Sequence, residues 1–192
     1  MHDASHRILA TVALLTLVAC DAPPANEAVQ PEQVAAELQL ENLERTLTIA
    51  HEKFTSLAET MPESTLDWRP MEGVRSVAEV YIHVAADNWY VPALLGVPAP
   101  PETGVTNDVM TFRAYQEREM SREEMLAALD ASFVFFLDAI DQTVEELDRG
   151  VTLGQPTTVG DVWIRATTHL HEHLGQSIAY ARSNGVVPPW SR

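Results

Sequence analysis

Residues 40–61, LENLERTLTIAHEKFTSLAETM, decide the fold. Leu40, Leu43, Leu47, Ala50, Phe54, Leu57 and Met61 recur at spacings of 3, 4, 3, 4, 3 and 4. That alternation averages to the α-helical turn and draws one apolar stripe along a helix. The helix is predicted over about 32–60, with Pro62 beyond its end. Downstream, Ser76-Val-Ala-Glu79 reads as a capping box, in which serine and glutamate satisfy each other's free amides. It opens a second helix to about 95, with Val77, Val80, Val84 and Val91 on the inner face and Gly96-Val-Pro-Ala-Pro-Pro after it. A short helix is expected over 108–118. Ser121-Arg-Glu-Glu124 is a second capping box, followed by Leu126, Leu129, Phe133, Phe136, Ile140, Val144 and Leu147, with Gly150 as the stop. Residues 151–157 read as a plain connection. Thr158-Val-Gly-Asp161 opens the last long helix to about 183, closed by Asn184-Gly185, and the tail VVPPWSR reads as extended. Four long amphipathic segments with no strong strand signal predict an all-α four-helix bundle.

The amino terminus reads differently. Ile8 to Ala19 is apolar and uncharged, too short for a permanent span of about 20 residues but of the length of an export signal. It ends in Leu17-Val18-Ala19-Cys20, which resembles the lipobox of bacterial lipoproteins and contains the only cysteine of the chain. The expectation is a signal peptide over 1–19, lipidation at Cys20, a polar, Pro-rich tether over 20–31 and the bundle domain over 32–192. A buried free cysteine behind an ordinary export signal is the alternative. The lipoprotein reading places the protein on the periplasmic face of a bacterial membrane, touching it through the lipid anchor only.

Asp and Glu number 28 against 12 Lys and Arg, a formal net charge of −16. Such a field disfavours nucleic acid and anionic membrane surfaces and attracts cations. The sequence holds no glycine-rich phosphate loop, no internal repeat and no second apolar span. It is compatible with a homodimer.

The histidines are the chemically informative residues. His169 and His173 are one turn apart, about 40° around the helix, whereas His171 points about 160° away. Val162, Ala166, Gln176 and Tyr180 share the stripe of the pair, so it faces the predicted core. Two core-facing imidazoles need partners even when neutral. A metal ion meets that need, and so do ordinary hydrogen bonds; on the pair alone both readings stay open. His83, between Val80 and Val84 on a mostly apolar face of the second helix, reads as structural when taken alone; in a bundle it can reach the fourth helix, and three imidazoles there would leave open positions. Asp87, one turn beyond, reads as a solvated carboxylate, a fourth ligand or an acceptor that orients a ring. His51 reads as structural or exposed.

Several of these pieces together resemble a known family. Trp68-Arg-Pro70 through Ser76-Val-Ala-Glu-Val-Tyr-Ile-His83, then His169-x-x-x-His173-Leu-Gly-Gln176, Tyr180-Ala-Arg182-Ser-Asn-Gly185 and Pro188-Pro189 resemble the DinB/YfiT-like proteins over residues 36–190. The resemblance implies a four-helix bundle holding a divalent metal through His83, His169 and His173. It also implies the family's thiol-dependent transferase and isomerase chemistry as one class of activity.

Two readings of function follow. One is a metal-dependent enzyme of transferase or hydrolase type acting on a small molecule, with Zn²⁺, or Ni or Fe, at the three histidines and Glu172 or Asp87 as candidate bases. The other is a non-catalytic metal-binding or interaction lipoprotein of the cell envelope. A third, a protease, rests on His169-Leu-His-Glu172-His173, which matches H-x-x-E-H. No Asp, Glu or His follows His173 to supply the expected downstream ligand.

Overall fold

The computed structural model describes residues 31–191, with side chains from residue 38 onward. The expected signal peptide, Cys20 and the tether up to residue 30 lie outside the described residues. Four long helices form the body: α1 (Pro31–Thr60), α2 (Val77–Leu95), α4 (Arg122–Thr143) and α5 (Val159–Ser183), with a short α3 (Val109–Gln116) against α2. In the bundle α1 packs on α4 and α5, and α2 packs on the same two. The helices therefore follow each other around the core as α1, α4, α2, α5, with α1 and α2 on a diagonal. This order makes α2 and α5 neighbours although they are far apart in the chain.

The helix starts follow the local chemistry. The Ser76 and Ser121 side chains each accept the N3 amide, and Glu79 and Glu124 each accept the serine amide in return. Thr158 caps α5 by accepting from the amide of Asp161. Gly96, at φ 97°, ends α2 in a conformation that side-chain-bearing residues avoid.

The predicted stripe of α1 packs inward: Leu47, Phe54 and Leu57 are fully buried. Phe133 of α4 sits between His51 and Phe54, stacking on the imidazole at 4.9 Å and meeting the phenyl ring at 5.5 Å. α2 departs from the expected single inner face. Every residue from Val80 to Ala86 is buried, which no one-sided helix allows, because α3, α4 and α5 cover it from different directions. That enclosure takes His83 out of water.

Two other segments differ from expectation. Residues 150–158 form an antiparallel hairpin of β1 (Gly150–Leu153) and β2 (Gln155–Thr158), turning at Gly154 with φ 77°. The run is short and rich in Thr, and it places Val151 and Leu153 against the core. The tail closes into a 3-10 turn at Pro189–Ser191, where the Trp190 ring lies 5.7 Å beneath the Lys53 ammonium.

Phe133→Ala is expected to cost about 3–5 kcal/mol, since it empties a fully buried aromatic site. Denaturant unfolding measures it; a loss below about 1 kcal/mol would mean that α1 and α4 do not meet there.

Candidate metal centre

Because α2 and α5 are neighbours, the imidazole of His83 meets those of His169 and His173. Ring centroids lie 4.6 Å apart for His83–His173, 4.4 Å for His169–His173 and 5.6 Å for His83–His169, with planes crossed at 80–88°. The Nε2 atoms of His169 and His173 are 3.1 Å apart. Asp87 enters from α2: its Oδ2 is 3.1 Å from His83 Nε2 and 3.3 Å from His169 Nε2. One donor atom from each of the four residues lies within 4.8 Å of the others. Asp87 is thus not the solvated carboxylate that helix position alone suggested. Its side chain is 15% exposed, and its buried Oδ2 has no aligned hydrogen-bond donor.

The outer ring nitrogens decide what the inner ones can do. Gln116 Oε1 lies 2.7 Å from His83 Nδ1 and accepts from the Arg75 guanidinium at 3.1 Å. An oxygen in that place means that His83 Nδ1 carries the proton. On α5, the Tyr180 hydroxyl donates to the Arg75 carbonyl and accepts from Gln176 Nε2. That turns Gln176 Oε1 toward His173 Nδ1, 2.8 Å away, which is again a donor. His169 Nδ1 stands 3.2 Å from the Glu172 carboxylate, an acceptor only. All three rings therefore hold their Nδ1 protons outward, which leaves the Nε2 lone pairs for the centre.

Electrostatics support neutral rings at two of the three positions. Desolvation pushes His83 down to about 4, with Arg75 and His173 adding to the effect and Asp87 opposing it. Burial also lowers His173, against its bond to Gln176. His169 is raised, first by its contact with Asp87 and then by Glu172. Lone pairs converging on a carboxylate suit a divalent cation. A four-donor shell around an ion at about 2.0 Å needs donors roughly 3.3 Å apart, close to the spacings seen. This His/Asp cluster could hold a metal ion. Its one open side is at His169, whose side chain is 45% exposed.

The structure brings His83, Asp87, His169 and His173 together and leaves the other candidates outside. Glu172 is exposed and lies on the outer nitrogen of His169, where it orients a ring rather than facing the centre. His171 points outward, its Nδ1 2.8 Å from the Thr167 carbonyl. His51 pairs with Asp130 at 2.7 Å, across the α1–α4 seam. Arg75 and Gln116 were not among the candidates. Arg75 lies in a loop and Gln116 on the short α3, and neither shares a helical spacing with a histidine. Gln176, three residues past His173, carried such a signal.

A stability prediction follows for the metal-free protein. His83 and His173 are depressed in the fold, so the unfolded chain binds more protons than the folded one below pH about 6.5. Their contribution is present above that pH and fades as pH falls toward about 4. Raised His169 acts in the opposite sense but is half exposed. Acidification from pH 7 to pH 5 should therefore lower Tm, and His83→Asn should flatten the slope. An unchanged slope in that variant would mean that His83 titrates normally.

The sequence profile of the DinB superfamily matches residues 46–177. No curated protein matches the chain. Among solved structures, it is similar to a DinB-like protein of Bacillus subtilis at 18% identity and a TM-score of 0.59, over 76% of this chain and 94% of that one. It is also similar to a DinB-like protein of Bacillus cereus ATCC 10987 at 15% identity and a TM-score of 0.59, over 78% of this chain and 95% of that one. At these identities the likeness concerns the fold: the four-helix arrangement recurs along nearly the whole length of both proteins. The matched family region takes in well over half of the sequence and all four residues of the cluster, and on that ground the chain belongs to the DinB superfamily.

Proposed function

We propose that this protein is a metal-dependent enzyme of transferase or hydrolase type, with one divalent ion held by His83, His169 and His173 and assisted by Asp87. The observation that carries the reading is the convergence of three Nε2 lone pairs, each fixed by an acceptor on the opposite ring nitrogen. A nitrogen-rich set with one carboxylate favours Zn²⁺ over hard cations, with Ni or Fe also accommodated. When bound, the ion would supply Lewis acidity, lowering the pKa of a coordinated nucleophile. The chain's own part is to hold rings and carboxylate in place and to exclude water on the His83 side. Asp87, with its second oxygen, is placed to accept a proton next to the ion. Glu172 sets the ring of His169 and takes no direct part.

Asp87 also supports a second reading. If its Oδ2 completes a closed set of four ligands, the site has the form of a structural centre, and the protein is a non-catalytic metal-binding protein. The open side at His169 favours the enzyme. The amino-terminal reading belongs to the same proposal: lipid on Cys20 would tether the domain to the periplasmic face of the cell envelope. The support for it is the apolar run and the Leu-Val-Ala-Cys motif. Mass spectrometry of the amino-terminal peptide checks it; an unmodified Cys20 behind an intact residue 1 would overturn it.

Elemental analysis of the purified full chain is expected to find close to one transition-metal ion per molecule. His83→Ala should lose most of it, while His51→Ala should keep it. Full retention in His83→Ala would rule out the shared site. Gln116→Leu should weaken metal affinity roughly 10–100-fold by freeing the ring of His83. For catalysis, turnover of simple esters or transfer of a thiol to an electrophile should vanish on chelation and in His83→Ala, and return with Zn²⁺. Turnover indifferent to both would sink the enzymatic reading.

A further inference from the structure

A cavity of about 220 Å³ opens next to the cluster between α2, α4, α5 and the hairpin. Asp87 and His169 are part of its lining, so two of the four residues border both the centre and this space. Its other walls are hydrocarbon: Val91, Leu94, Phe136, Leu153 and Leu170, with Ala166 leaving room on α5. Arg165 stands exposed at the edge. The charged groups gather at one edge, and the body of the cavity is uncharged hydrocarbon.

Asn88 lies behind the apolar wall. It is fully buried, and its Nδ2 donates to Ser132 Oγ, which itself donates to the Leu129 carbonyl. That chain fixes the amide orientation and leaves Oδ1 buried without a donor. An apolar cavity of roughly 150 Å³ takes up one benzene ring, so this one has room for a ring with a substituent.

We infer that the site acts on a small molecule with a compact, uncharged apolar body, of the size of a substituted phenyl ring, whose polar head reaches the Asp87–His169 edge. The inference rests on the metal reading above and adds to it the class of substrate. The walls exclude water around the body. Thiols or acyl compounds with a polyanionic body fit neither the walls nor the field of the chain.

Two hydroxamic acids with the same metal-ligating head separate the two ideas. Zinc content of the full chain is measured first. On the zinc-loaded protein, titration calorimetry should show benzohydroxamic acid binding at least tenfold tighter than acetohydroxamic acid. Ala166→Phe, which fills the cavity from α5, should bring the ratio near one while zinc content stays the same. Leu153→Trp, which narrows it from the hairpin, should do likewise and covers the case in which the first variant does not fold. Equal affinities in the unaltered chain, or a ratio that survives both substitutions, would overturn the inference and leave the metal site standing. A chain that takes up no zinc would sink the metal reading instead. Toluene binding to that metal-free protein, lost in either variant, would still uphold the apolar specificity; no toluene binding would end it.

Discussion

His83 sits in the middle of a helix covered on every side, where an imidazolium has no water and a neutral ring still has two nitrogens to satisfy. The surroundings follow from that constraint. Gln116, held by Arg75, takes the outer nitrogen. The inner one is turned toward α5, where His173 is similarly held by Gln176 and Tyr180. Tyr180 returns to the backbone of Arg75, so the supports of two rings from two helices share one loop residue. Removing Gln116 or Gln176 leaves a part-buried ring nitrogen unmatched, which costs more than the bond itself contributes.

The same burial accounts for the electrostatic pattern. His83 and His173 lose basicity because charge is poorly solvated there, whereas His169, half in solvent beside Asp87 and Glu172, gains it. Three residues of one type, a few ångströms apart, are thus unequal. Two are walled-in rings held in place, and the third is the flank at which the cluster meets solvent.

The bundle was legible because helical periodicity and two serine–glutamate caps are local signals, and each cap forms at the residues that announce it. The histidine cluster was legible in part. One-turn spacing put His169 beside His173, but joining His83 to them needed the neighbourhood of α2 and α5, a fact of topology that no local pattern holds. Asp87 shows the limit clearly. Four residues past His83, it reads from sequence as a solvated carboxylate, a fourth ligand or an acceptor that orients a ring, and only the covering of α2 by three other helices takes it out of solvent. The hairpin escaped notice because nine residues with one proline and two glycines carry little periodicity. The role of Arg75 and Gln116 depends on α3 folding over α2, again a matter of packing.

An ion shared by α2 and α5 would have a mechanical effect beyond chemistry. The described part of the chain has no cysteine, so no covalent bridge restrains its unfolded form. Residues 83 and 169 would be joined by a clasp that can be put on and taken off. Closing a loop of that length removes conformational freedom worth about 4–5 kcal/mol from the unfolded chain, if the clasp acts as a covalent one does. The molecule would then have two levels of durability, set by its mineral surroundings rather than by its thiols.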